Sequence, residues 1–265
     1  IISRAKGSTD PKTGMPTYIK VGSIRSDGPG WLGARYQALS PSGKARQNMN
    51  LSVDGQRFGT RRTLLNDLDS INRQVDRSGQ MEGLDGFEQQ AFDLVLGSAK
   101  DAFDVKKEDP KVRERYGKGL GEQLLLAKRL CAAGAGFVNV SYGGWDMHGG
   151  IVKGLKGRAQ QLDQGVSALI NDLTETGQLE DTLVVVTGEF GRTPKINQRV
   201  GRDHYPRAMF CLMAGGGMQG GQVIGASDAK GEGPEDRAIS PDDVAASFMH
   251  SLGIDPTKEY HTPTG

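Results

Sequence analysis

The sequence predicts an α/β fold with a mostly parallel sheet flanked by helices. Three observations predict it. A short apolar run, Phe137–Val140, leads into a long amphipathic stretch, Val152–Thr176, and then into a second apolar run, Thr182–Thr187. Strand, helix and strand at these lengths make a βαβ unit, whose strands lie parallel with a right-handed crossover. A further apolar run, Ala208–Ala214, reads as a third buried strand. Finally, carboxylates, histidines and arginines gather in the loops around these runs, where open α/β sheets bind ligands.

The elements follow in order. Ile1 to Ser52 has little periodicity and is rich in Gly, Pro, Ser and Lys. It reads as extended loop with short strands, Thr17–Gly22 among them. Leu64, Leu65, Leu68, Ile71 and Val75 then recur at helical spacing and predict a helix over Gly59–Arg77. Phe87, Ala91, Leu94, Val95 and Ala99 predict a second over Gly86–Phe103. Asp109 and Pro110 start a short helix, Asp as cap and Pro in the first turn, that ends near Tyr116-Gly117. Six arginines here (Arg61, Arg62, Arg73, Arg77, Arg113 and Arg115) read as a solvated helix face. Residues 1–118 are thus expected to form a loop-rich and helical, cap-like segment on an α/β core spanning 119–265.

In that core, Gly119–Ala133 is a helix broken by Gly134-Ala135-Gly136. The long helix buries a stripe of Leu155, Ala159, Leu162, Val166, Leu169, Ile170 and Leu173, and Gly177 stops it. Gly215–Gly221 is a tight turn; it lacks the Lys-Ser/Thr ending of a phosphate loop. Gln222–Ile224 is expected as a short strand. Ser240-Pro241-Asp242-Asp243 caps a last helix, Val244–Leu252.

Bulk properties narrow the function. The 265 residues carry a net charge of +1, so no nucleic-acid footprint is visible. No apolar run approaches the roughly 18 residues of a membrane span. Apolar content is 36% and 39 residues are glycine, so much of the chain must be loop. Cys131 and Cys211 lie in apolar surroundings and read as small buried hydrophobes, with a disulfide between them left open. The chain starts at Ile1 without a signal peptide, and a fragment lacking its N-terminal part is the expectation.

Three loops carry the chemistry. Asp146 and His148 follow the first strand, Glu189 and Arg192 follow the second, and Asp203 and His204 precede the third. Each pair alone reads as a turn, a surface histidine or an internal ion pair. Together, Asp-x-His, a later carboxylate and a later His are ligands for a divalent metal. His250 sits within the last helix and reads as structural; Trp145 reads as packing or pocket wall.

GGWDMHGG, the long helix, LVVVTGEFGRTP, GRDHYP and the closing SLGIDPTKEYHTPTG resemble the bacterial family catalogued as domain of unknown function 1501. That family is abundant in planctomycetes, often carries a twin-arginine export signal, and is placed in the alkaline phosphatase and sulfatase superfamily. The resemblance implies a metal-dependent hydrolase of phosphate or sulfate esters, small-molecule or carbohydrate, exported to the periplasm or beyond. It implies that Asp146, His148 and His204 hold one divalent cation: zinc, calcium or manganese. Glu189 would be a further carboxylate ligand or a general base, and Arg192 would bind the anion. Where the superfamily holds a second metal with an Asp-His pair, this chain has Glu189-Phe190, and Phe cannot ligate. No nucleophile can be named; Thr187 and Thr193 are the nearby hydroxyls. The rival expectation is a non-catalytic exported binding or surface protein that keeps the fold with a degenerate metal site.

Overall fold

The computed structural model describes residues 1–23, 28–41 and 98–262. The helix expected over 59–77, and most of that over 86–103, lie outside the described residues. The described end of the latter, Ser98–Phe103, is a 3-10 helix. The chain divides into two compact units.

The first unit comprises Ile1–Arg113, Leu125–Ser141 and Tyr260–Gly265. It opens with helix α1 (Ile2–Lys6). Strand β1 (Tyr18–Val21) then pairs in parallel with β2 (Phe137–Val140), from Tyr18 opposite Phe137 to Val21 opposite Val140. Alternation along β1 sends Ile19 and Val21 inward, and they join Met15, Ala99, Ala102, Phe103, Leu130 and Ala135 in one core. Arg129 ties this region together, donating to Glu108 at 2.7 Å and to the carbonyls of Ala102 and Asp101.

The second unit comprises Glu114–Leu124 and Tyr142–Glu259, so the next two helices each have residues in both units. Helix α2 (Pro110–Tyr116) begins as expected, with the Asp109 carboxylate accepting from the Lys111 amide at 2.7 Å. Helix α3 follows at Leu120–Ala132, and the long helix α4 runs over Ile151–Glu175. At its end Gly177 has φ 69°; the Gln178 amide reaches the Leu173 carbonyl and the Gly177 amide that of Thr174. This closes the last turn through a left-handed residue that favours glycine. Helix α5 (Pro241–Ser251) starts with a reciprocal Ser240–Asp243 capping box.

Four two-stranded pairings are described, and only β1–β2 is parallel. Strand β3 (Val184–Thr187) pairs antiparallel with β6 (Cys211–Ala214). Between them β4 (Gly191–Arg192) and β5 (His204–Tyr205) form a small hairpin; β7 (Ala226–Ser227) and β8 (Pro234–Asp236) form another. The architecture is mixed α/β, but the expected βαβ pairing of β2 with β3 is absent among the described residues. Strand β2 takes β1 as its partner instead, and the chain after β3 doubles back through the β4–β5 hairpin, so that β6 returns antiparallel to β3.

Three further expectations are corrected. The run over 208–214 is not a buried strand: Phe210 is 68% exposed, and Met209 and Leu212 also face outward. Apolar sequence alone does not supply the second layer that would cover it. Gln222–Ile224 is not a strand, and Val223 is 96% exposed; Gly221 and Gly225, which flank it, both have positive φ (74° and 79°) and turn the chain out of the extended conformation at each end. The α4 stripe is buried only towards its C-terminal end, at Gly165, Ala168, Leu169, Asp172 and Leu173, while Leu155 and Ala159 are exposed. Both cysteines are free thiols; burial pushes Cys131 up to about 11.

Candidate metal centre

The site is built at the N-terminal end of α4. Residues 142–150 approach that end as an irregular segment, with the Met147 amide bonded to the Trp145 carbonyl at 2.9 Å across Asp146. The β4–β5 hairpin lies alongside. Its register sets Arg192 opposite His204, and directly opposite residues share one face of an antiparallel pair. Both side chains therefore reach the same target. The Arg192 guanidinium donates to Asp146 Oδ1 at 2.7 Å, and His204 Nε2 lies 2.8 Å from that oxygen. His148 Nε2 lies 3.0 Å from the same oxygen. The ligand atoms of Asp146, His148 and His204 all lie within 4.8 Å of one another.

Backbone bonds hold this arrangement. The loop before β5 lies against the start of α4: Gly150 and Ile151 donate to the carbonyls of Arg199 and Val200, and Arg202 donates to that of Met147. Two donors at the helix N-terminus are thereby satisfied. Gly201 is buried where an added Cβ would fall on the His148 carbonyl, so no larger residue fits without moving the loop. Asn197 links the parts. Its side-chain oxygen accepts from the amides of Arg199 and Gly201, and its nitrogen donates to the His148 carbonyl and to both oxygens of Asp203. Asp203 in turn lies 2.6 Å from His148 Nδ1.

The electrostatics follow from these contacts. The His204 ring, and then Arg192, hold the Asp146 carboxyl down to about 2. The His148 ring, and then Asn197, lower that of Asp203. Both acids are anionic at neutral pH and present oxygens that only accept.

Of the residues singled out in the sequence, Asp146, His148, His204 and Arg192 come together. Glu189 does not enter the cluster of ligand atoms; it is exposed on the bend after β3. Its neighbour Phe190 lies beside the site, its ring 4.4 Å from that of His204 and 5.7 Å from the Arg192 guanidinium. Trp145 packs edge-on against Tyr142. His250 is exposed on α5 and outside the cluster. Asp203 carried no assigned role in the sequence, and Asn197 was missed. The one available signal for Asn197 was its place in a loop closed by Gly201, since Asn and Gly mark tight turns.

A family model described as protein of unknown function (DUF1501) matches residues 4–265. The chain belongs to the DUF1501 family. No curated protein and no solved structure matches it. In this DUF1501 chain the motifs GGWDMHGG, ahead of α4 in the sequence, and GRDHYP, after it, are the two that supply the cluster. Two imidazoles and one carboxylate form a chemically suitable set for a divalent cation with open positions. Among the described residues no helix is long and apolar enough to cross a membrane.

Proposed function

We propose that this DUF1501 chain carries the metal site of a hydrolase of phosphate or sulfate esters, of the alkaline phosphatase and sulfatase type. The observation that supports it most is the convergence of His148 Nε2, His204 Nε2 and Arg192 on one oxygen of Asp146. Asp146, His148 and His204 would hold the cation. Their donor set favours zinc, manganese or iron over calcium, which prefers six to eight oxygens. When bound there, a divalent cation would stabilise negative charge developing on an ester oxygen.

The chain's own groups supply the rest. Arg192 stays at the edge of the cluster, its second nitrogen donating to the Arg202 carbonyl at 3.3 Å. Its planar fork suits an oxyanion such as phosphate or sulfate. Glu189, a solvent-facing carboxylate on the same β3–β4 connection, is assigned the general-base role. Phe190 beside His204 supports a second reading, a binding protein that keeps the cation without turnover.

Metal content by mass spectrometry, on the wild-type chain and His148→Ala after incubation with zinc or manganese, tests the site. One equivalent in the wild type, lost in the variant, is expected. No bound metal in the wild type would sink the reading. Aryl phosphate and aryl sulfate hydrolysis by the loaded protein then separates enzyme from binding protein. Export, inferred from the resemblance alone, is tested by fractionating cells that express the native gene; retention in the cytosol would overturn it.

A further inference from the structure

We propose that Asp203 is a positioning residue for this centre. It fixes the ring proton of His148 on Nδ1 and so turns the Nε2 lone pair toward Asp146. The inference rests on the metal reading of the site. Its basis is the 2.6 Å contact between His148 Nδ1 and Asp203 Oδ1. An ionised carboxylate can only accept, so Nδ1 must carry the hydrogen. In neutral His148, Nε2 then has a lone pair facing an anionic oxygen 3.0 Å away. Two lone pairs at that distance repel unless a proton or a cation lies between them.

The carboxylate is itself held. One Asn197 nitrogen donates to both Asp203 oxygens, at 3.2 Å each, and to the His148 carbonyl at 3.1 Å. Acid and ring are thus referenced to one amide, which fixes the carboxylate's rotation as well as its position. His204 differs. Among the described residues its Nδ1 has no hydrogen-bond partner, and its ring is flanked by Phe190 and His148. The two histidines are therefore inequivalent: His148 meets a carboxylate at each ring nitrogen, His204 at Nε2 alone. Such outer carboxylates orient metal-binding imidazoles and raise their basicity, and their loss weakens metal affinity by about 10–100-fold.

A purely structural role for Asp203 is disfavoured by where the local fold gets its bonds. Thr193 and Asp203 are joined through the Asp203 backbone, whose carbonyl accepts from the Thr193 amide and whose amide donates to the Thr193 hydroxyl. Those bonds survive substitution of the side chain by Ala or Asn. What the carboxylate adds is the contact with Asn197 and, at Nδ1, the orientation and proton position of one ring.

The test uses the full chain as wild type, Asp203→Ala and Asp203→Asn. Ring-nitrogen NMR of the metal-free proteins at neutral pH reads the tautomer of each histidine. Competition with a chromophoric chelator reads zinc affinity, and thermal melting checks the fold. The wild type should show His148 protonated on Nδ1. Asp203→Ala should move that proton toward Nε2, lower zinc affinity about 10–100-fold, and leave His204 and the melting temperature unchanged. Asp203→Asn keeps an acceptor oxygen and should recover the tautomer with part of the affinity. Unchanged His148 nitrogens in Asp203→Ala, or zinc bound as tightly as by the wild type, would overturn the proposal. If the wild type binds no zinc, the metal reading fails separately, and the ring-nitrogen spectra still decide whether Asp203 sets the tautomer.

Discussion

The two ends of helix α4 do different work. The helix has 25 residues, so its ends lie roughly 37 Å apart. At the C-terminal end Leu169 and Leu173 are buried, and Asp172, also buried, accepts from the Tyr116 hydroxyl at 2.8 Å. Arg115 forks onto Glu175 through contacts of 2.9 and 2.7 Å. At the N-terminal end Val152 and Leu155 are exposed, and the Asp146 side chain is 63% exposed. Burial stabilises one end. Backbone bonds between loops position the polar groups of the other, where exposed ion pairs add little to stability. Stability and chemistry should therefore respond to different substitutions.

The largest expected effect is on chemistry alone. Asp146→Ala removes the oxygen on which three groups converge, so metal binding should vanish while the melting temperature barely moves. A calorimetric titration with zinc beside a thermal melt checks this, and a large drop in melting temperature would show that the two ends are coupled. Next comes stability alone. Leu173→Ala empties a site only 2% exposed and should cost about 2–5 kcal/mol in urea unfolding. Its folded fraction should still bind metal with wild-type stoichiometry. Tyr116→Phe is a finer cut at the same end: losing a hydroxyl donor to a buried carboxylate should cost about 1.5–3 kcal/mol, again without touching metal affinity.

The smallest effect is in acid. The folded Asp146 carboxyl is held at about 2, first by His204 and then by Arg192, below its unfolded value of about 3.9. Its contribution is therefore present above the unfolded value and lost as pH falls through the folded one. Between roughly pH 4 and 2 the loops over 146–150 and 197–204 should loosen before the C-terminal half of α4 does. Hydrogen exchange across that window would show it, and uniform loosening along the helix would contradict the division of labour.

What the sequence made legible was local. The start of α2 at Asp109-Pro110, the capping box at Ser240 and the stop at Gly177 each depend on a few adjacent residues, and all three formed where expected. The candidate triad was legible for a similar reason: Asp146, His148 and His204 are recognisable by type and by position beside apolar runs, though Glu189, expected in the same set, lies outside it. Partnerships across the chain were not legible. The pattern of Phe137–Val140 says that it wants a neighbour but not that the neighbour is Tyr18–Val21. The run over 208–214 is apolar whether or not a layer covers it. The tie from Asn197 through Asp203 to His148 crosses two loops, and no spacing rule encodes it.

The backbone links between 147–151 and 199–202 leave side chains there unequally constrained. Gly201 is fixed by its close approach to His148, whereas Gln198 and Arg199 are exposed, and only Arg199 holds the loop, through its amide and carbonyl. The charge of Arg199 also helps to lower the Asp203 carboxyl, so of the two only Gln198 borders the cluster without supporting it. Gln198 is where inherited variation can accumulate without displacing the Asp146, His148 and His204 cluster, and where a mutant library should find altered ligand preference with the fewest unfolded members.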